Sequence, residues 1–279
     1  MRKFVFSDLH GEGKIYKQVM NYLDHLSEKE EISLYINGDL IDRGNSSGYI
    51  LLDVMNRIKS NRYPIIYLAG NHELMMYEVY EKRKKGIPTY KSDWYRNGGC
   101  VTEKQLNEVL KTKEEIEEVV NFISKLKIYH KFSEKIENKR IVLVHASCPI
   151  KVEDECNLNL KSNEDELFLY LWMREKDPFF PFPYHLGNPS YFTIIGHTNN
   201  NTKLAYQYHK EDNYLNIDGG YYNRYQQLPL VEIKEEYLKI LTFHEMKGLI
   251  AGNYFTPKES IPYEEKELKE AKKLIMSRP

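Results

Sequence analysis

The chain has 279 residues, 41% hydrophobic and 29% charged, enough apolar side chain for a substantial core in one large or two small domains. Its 40 Lys and Arg against 41 Asp and Glu leave a net charge of -1, which excludes a global pull toward nucleic acid or an anionic membrane. No apolar run of about 18 residues, no long leader before Asp8 and only three scattered cysteines (Cys100, Cys148, Cys156) point to a cytoplasmic chain with reduced thiols and no membrane partner.

Taken in chain order, short β-rich runs alternate with amphipathic segments, the pattern of an α/β fold. Lys3–Phe6 reads as a buried strand stopping at Ser7-Asp8-Leu9-His10-Gly11, after which Ile15, Val19, Leu23 and Leu26 share one helical face. Ile32–Ile36 repeats the arrangement, ending in Asn37-Gly38-Asp39-Leu40-Ile41-Asp42-Arg43-Gly44 before a helix over Ser47–Ser60. Pro64–Leu68 repeats it again and ends in Gly70-Asn71-His72-Glu73. Val101–Leu126 reads as helical and heavily charged, with a solvated face to which no chemistry is assigned. Arg140–Val144 is a strand ending at His145-Ala146-Ser147, and Tyr191–Ile195 is another ending at Gly196-His197-Thr198. From Lys203 to Phe243 the apolar spacing shortens to that of strands, with a turn at Asp218-Gly219-Gly220, which predicts a more antiparallel second half. Pro257–Ser277 is rich in Lys and Glu and reads as helical.

Every parallel-type strand thus delivers polar residues at its carboxyl end, where open α/β sheets hold ligands. Asp8, His10, Asp39, Asn71, His145 and His197 together make a mixed imidazole and carboxylate set suited to manganese, iron, zinc or nickel. Six such ligands exceed the needs of one ion, whereas two ions bridged by one carboxylate would use them all. Singly, each has a plainer explanation: Asp39 could cap the following helix and Asn71 could make an Asx-turn. Their joint recurrence after successive strands favours the metal set.

The order and spacing of these motifs resemble the phosphoprotein phosphatase family, within the calcineurin-like metallophosphoesterases and in its compact bacterial and phage type. Trp94-Tyr95-Arg96-Asn97-Gly98-Gly99 is similar to a Trp and Asn-Gly-Gly segment of those enzymes, and Trp172-Met173-Arg174-Glu175 to their Trp-x-Arg-Glu segment. Ser7 departs from the family, which usually has Gly there. The resemblance implies two mixed β-sheets packed as a sandwich flanked by helices, over residues 1–245, with a helical extension over 246–279 packed on it. It also implies that Asp8 and His10 hold a first metal, Asp39 bridges, and Asn71, His145 and His197 hold the second; both are divalent, with manganese the first expectation.

From this follows an expected reaction, the hydrolysis of phosphate esters by a hydroxide made at the two cations. Arg43 and Arg174 would clamp the phosphate, and His72, oriented by Asp42, would protonate the leaving oxygen. For Arg174, placed in a helix near Asp165, Glu166 and Glu175, a surface ion pair is the competing reading. Asp218 and Glu73 are left out of catalysis as a turn residue and a helix N-terminal charge. A phosphorylated protein is the leading substrate, with serine or threonine phosphate as the target. A dinucleoside tetraphosphate, other phosphodiesters, or a non-catalytic phosphate-binding scaffold are the alternatives, and nucleic acid is not expected as a partner.

Overall fold

Alternation within the first strand sets the architecture. In β1 (Arg2–Phe6), Phe4 and Phe6 point to one side and Val5 to the other, and all three are buried. A strand buried on both faces must lie inside a layered structure. The computed structural model describes residues 1–149, 159–161, 163–175, 185–200, 205–220 and 226–276. Its elements continue with α1 (Gly13–Ser27), β2 (Ile32–Asn37), α2 (Ser47–Ser60), β3 (Ile65–Leu68), α3 (Asn71–Lys84), α4 (Asp93–Arg96), α5 (Gly99–Val109) and α6 (Lys113–Ile123). The second half adds β4 (Tyr129–Ile136), β5 (Lys139–Val144), α7 (Glu164–Trp172), β6 (Phe192–Ile195), β7 (Gln207–His209), β8 (Tyr214–Asn216), β9 (Gln227–Ile233), β10 (Leu238–His244), β11 (Gly248–Phe255), β12 (Ser260–Pro262) and α8 (Glu265–Met276).

Among the described residues these strands form two mixed sheets, one seven-stranded in the order β12-β11-β10-β9-β1-β2-β3 and one five-stranded in the order β4-β5-β6-β8-β7. β1, β2 and β3 run parallel, as do β5, β6 and β8, so the two parallel centres end on the same kind of loop. Val5, Tyr35 and Leu68 of the first sheet pack with Ile141, Leu143, Phe192, Ile194 and Leu215 of the second, which makes the pair a sandwich. The opposite faces, carrying Phe4, Phe6, Leu34, Ile36, Val142 and Val144, pack in a second core that also takes in Leu23, Val54, Leu106 and Leu171 of the helices. The expected fold is therefore the observed one.

The stretch 101–126 is helical as expected and runs as two helices, because Thr112 starts a new one: its hydroxyl accepts from Glu115 N–H (3.2 Å) while the Glu115 carboxylate accepts from Thr112 N–H (3.0 Å). Two local expectations are corrected. The later antiparallel strands do not form a sheet of their own; β9 pairs with β1, extending the first sheet. In the C-terminal segment only Glu265–Met276 is helical, since Leu249 and Phe255 bury from β11 and β12 pairs with it at the edge. The short, fully exposed β12 beside charged residues carries no apolar alternation to betray it. The Pro and Phe stretch 178–184, Tyr221, Tyr222, Tyr225 and Cys156 lie outside the described residues, and Cys100 and Cys148 are free.

Leu143 is wholly buried between the sheets, two residues before His145. Leu143→Ala is expected to destabilise the fold by about 2–5 kcal/mol in urea unfolding; a loss under about 1 kcal/mol would show that the two sheets do not share this core.

Candidate metal centre

The loops that follow β1, β2, β3, β5 and β6 meet at one place and are tied to each other. Asp8 N–H donates to Gly38 O (3.2 Å), His10 N–H to Asp39 O (2.9 Å) and Gly196 N–H to His145 O (2.8 Å). Glu73 fastens two of the loops: its buried carboxylate accepts from Asp39 N–H (2.9 Å), Leu40 N–H (3.1 Å), Gly70 N–H (2.8 Å) and Tyr67 O–H (2.6 Å). Gly70 is required by close approach, for a Cβ there would stand 2.2 Å from Asp39 Oδ1. Asp8, His10, Asp39, Asp42, Arg43 and His197 all have positive φ between 49° and 73°. Non-glycine residues in that region are strained by about 1–3 kcal/mol each, and they collect at functional sites.

Asp39 is at the centre. Its Oδ1 is 3.3 Å from His145 Nε2, and its Oδ2 is 3.6 Å from His10 Nε2 and 3.8 Å from His72 Nε2. Two groups that could each hold a metal ion share it: His10, Asp39 and His72, and Asp39, His145 and His197. In the second group Asn71 Oδ1 adds a further donor, 3.1 Å from His145 Nε2 and 2.9 Å from His197 Nδ1. Each outer ring nitrogen is fixed by a backbone carbonyl: His10 Nδ1 by Ile41 O (3.2 Å), His145 Nδ1 by Asn37 O (2.9 Å) and His197 Nε2 by Trp172 O (3.0 Å). Such bonds leave the inner nitrogen of each ring to face the cluster, as in metal-binding histidines.

The donor chemistry fits a cation. His197 lies between two oxygens, Trp172 O and Asn71 Oδ1, and burial holds its pKa well below the ordinary value, with the His145 and Arg174 charges adding to the effect. A neutral ring carries one proton, so one of its contacts sets lone pair against lone pair, which a bound cation removes. Burial alone would push the Asp39 carboxyl up, yet His145, His72 and His10 around it hold it well below the usual range. Burial also works against charge on His145, but Asp39 and Asp8 overcome it and raise its pKa to about 10.

His72 is treated differently. Its Nδ1 pairs with the buried Asp42 carboxylate at 2.7 Å, and its pKa is raised because Asp39 and Asp42 outweigh the effect of burial. Arg43 spans two rings, with its guanidinium donating to His10 Nε2 (3.0 Å) and His72 Nε2 (3.1 Å). A single lone pair serves one partner, so a metal held on His10 displaces that Arg43 contact.

Residues 1–212 match the family model described as calcineurin-like phosphoesterase. The chain belongs to this family. Its hydrolases act on phosphoesters, and the His and Asp groups above are those that could hold its metals. Among solved structures, the chain is similar to a serine/threonine phosphatase from Saccharomyces cerevisiae described as similar to human phosphatase PP5, at 13% identity, covering 88% of this chain and 80% of that one with a TM-score of 0.56. It is also similar to a cold-active protein tyrosine phosphatase, at 12% identity over 96% of this chain and 80% of that one, TM-score 0.52. Such identities show a shared fold. No curated protein matches the chain.

Within this family, the structure brings together five of the six residues expected to hold metal, His10, Asp39, Asn71, His145 and His197, with Asp42, His72 and Arg43 beside them. Asp8 lies outside both groups: its carboxylate accepts from His197 N–H (3.1 Å to each oxygen) and from the Ser7 hydroxyl. Ser7, where the family usually has Gly, is thereby employed, since its hydroxyl also reaches Asn37 O (2.9 Å). Arg174 is exposed and lies beyond the end of α7, not within a helix, and its charge is felt at His197; it makes no ion pair among the described residues. Asp218 Oδ1 accepts from Gly220 N–H (2.9 Å), the expected turn, but burial pushes its carboxyl up to about 6 with Asp39 adding to the effect. Sequence reasoning missed Glu73 as a loop fastener, and the carbonyls of Asn37, Ile41 and Trp172, which any residue type supplies.

His145 Nδ1 keeps a proton that it donates to the Asn37 carbonyl, so the proton that the charged ring can lose sits on Nε2. A cation bound by Nε2 must displace it, so metal uptake below about pH 10 releases a proton and affinity rises with pH. Manganese titration of metal-free protein at pH 8 in weak buffer is expected to release at least one proton per protein; no release would remove His145 from the ligand set.

Proposed function

We propose that the chain is a two-metal phosphomonoesterase of the phosphoprotein phosphatase type, acting on phosphoserine and phosphothreonine in proteins. One observation carries the reading: three histidines rest on backbone carbonyls, whereas His72 rests on a buried carboxylate. A carbonyl partner fixes the ring and leaves its other nitrogen to ligate; a carboxylate partner adds a negative charge that favours the charged ring that gives a proton. His10, Asp39, Asn71, His145 and His197 would hold two divalent cations with Asp8 completing the first set, and Asp39 would serve both through its two oxygens. When bound, the cations supply a water acidic enough to attack phosphorus at neutral pH.

The residues of the chain do the rest. Arg43 moves from the imidazoles onto the phosphate, where its guanidinium matches two oxygens at once, and Arg174 adds charge from the rim. That move frees His72 Nε2 to carry a proton toward the leaving oxygen while Nδ1 stays on Asp42. A built acid matters most for a basic leaving group. Serine and threonine alkoxides are far more basic than phenolate, whose conjugate acid has a pKa of about 10, so the acid supports alkyl over aryl phosphate esters. The manganese form is expected to prefer a phosphoserine peptide over p-nitrophenyl phosphate, a phosphotyrosine peptide, bis-p-nitrophenyl phosphate and diadenosine tetraphosphate. Preference for the tetraphosphate would move the reading to nucleotide hydrolysis, and silence on all five with metal bound would favour a scaffold.

Arg174→Ala is expected to weaken inhibition by inorganic phosphate roughly tenfold, the loss of one charged hydrogen bond of about 1.5 kcal/mol. Unchanged inhibition would remove Arg174 from the phosphate site.

A further inference from the structure

Asp42 is wholly buried, and more groups converge on its carboxylate than on His72 alone. Oδ2 faces His72 Nδ1 at 2.7 Å. Oδ1 accepts from Trp94 Nε1–H at 3.0 Å and from the Thr102 hydroxyl at 2.5 Å. Thr102 thus spends its one proton on Asp42, so in its 2.6 Å contact with Ser47 the Ser47 hydroxyl is the donor. Asp42 N–H closes the circuit by donating to Ser47 Oγ (2.5 Å) and toward Thr102 Oγ1 (3.2 Å). Three helices contribute: Ser47 begins α2, Trp94 lies in the four-residue α4 and Thr102 in α5.

The segment between Trp94 and Thr102 is shaped for this contact. Gly98 has φ of +99°, and a Cβ there would stand 2.7 Å from the backbone nitrogen of Arg43. Only glycine lets the start of α5 lie against Asp42 and Arg43, which are themselves left-handed at φ of 73° and 67°. Trp94 is fully buried, its ring 5.9 Å from that of Tyr80 and 5.4 Å from that of Tyr95, so the indole N–H has one direction available. The Trp and Asn-Gly-Gly stretch therefore has a physical purpose that its sequence does not state.

We infer that Trp94 and Thr102 are positioning residues for the His72–Asp42 pair. By occupying Oδ1 with two donors they fix the rotation of the carboxylate and leave Oδ2 to His72 alone, which sets the plane of the imidazole and the direction of Nε2. Neither residue touches substrate; both act through Asp42. The inference rests on the proposed role of His72 as the acid.

The test compares turnover of an alkyl phosphate and p-nitrophenyl phosphate by the manganese-loaded full chain, with metal content and melting temperature recorded for each variant. His72→Ala is the reference and is expected to lose about 10²–10⁴-fold in kcat on the alkyl ester and much less on the aryl ester. Thr102→Val and Trp94→Phe are expected to show the same discrimination at about 10–100-fold, with KM little changed, and Thr102→Ser to restore the alkyl activity. Thr102→Val, close to Thr in shape, carries the test should Trp94→Phe fail to fold. If His72→Ala discriminates between the esters but Thr102→Val loses both equally or neither, the positioning role is overturned. Equal loss on both esters in His72→Ala overturns the acid role itself and this inference with it.

Discussion

A buried carboxylate shared by opposing imidazoles is the constraint on which the rest depends. Asp39 offers one oxygen to His145 and the other to His10 and His72, and no first-row cation site could be built from both sides without such a residue. Taking this many acceptor atoms out of water is costly unless positive charge is supplied. The surroundings answer that cost in protons and guanidinium: His145 is held charged to about pH 10, His72 is raised, and Arg43 reaches across both rings.

Holding that geometry needs rigidity, and the fold supplies it from two directions. The sandwich brings the carboxyl ends of the two parallel centres to one edge, so candidate ligands distant in sequence, such as Asn71 and His197, come within 2.9 Å. Glu73 then locks the Asp39 loop to the start of α3 with three backbone hydrogen bonds. The six left-handed residues at the site are tolerated because their backbones are over-determined by such contacts.

The histidines proposed as ligands and the one proposed as acid differ in the partner of the outer nitrogen. His10, His145 and His197 lean on carbonyls, and His72 leans on a carboxylate that is itself held by Trp94 and Thr102. Four buried rings of one residue type within one cluster come to differ in charge: burial holds His10 and His197 down, whereas Asp39 raises His145 and, with Asp42, His72 against the same effect.

The sequence by itself determined the strands, the polar residues at their ends and the α/β sandwich that the resemblance implied. Those depend on local periodicity and on side-chain type, which are written residue by residue. Only the tertiary structure decided which contacts those residues make. It set the Asp8 carboxylate under the His197 backbone N–H, moved Arg174 out of a helix, and gave the helix-end charge of Glu73 a second use as a fastener. It also drew Thr102 out of a stretch that read as solvated surface, because the buried face of α5 is partly polar and mimics an exposed one in the linear pattern. Such outcomes turn on backbone carbonyls, left-handed loops and close approach between distant segments, none of which has a signature in residue type.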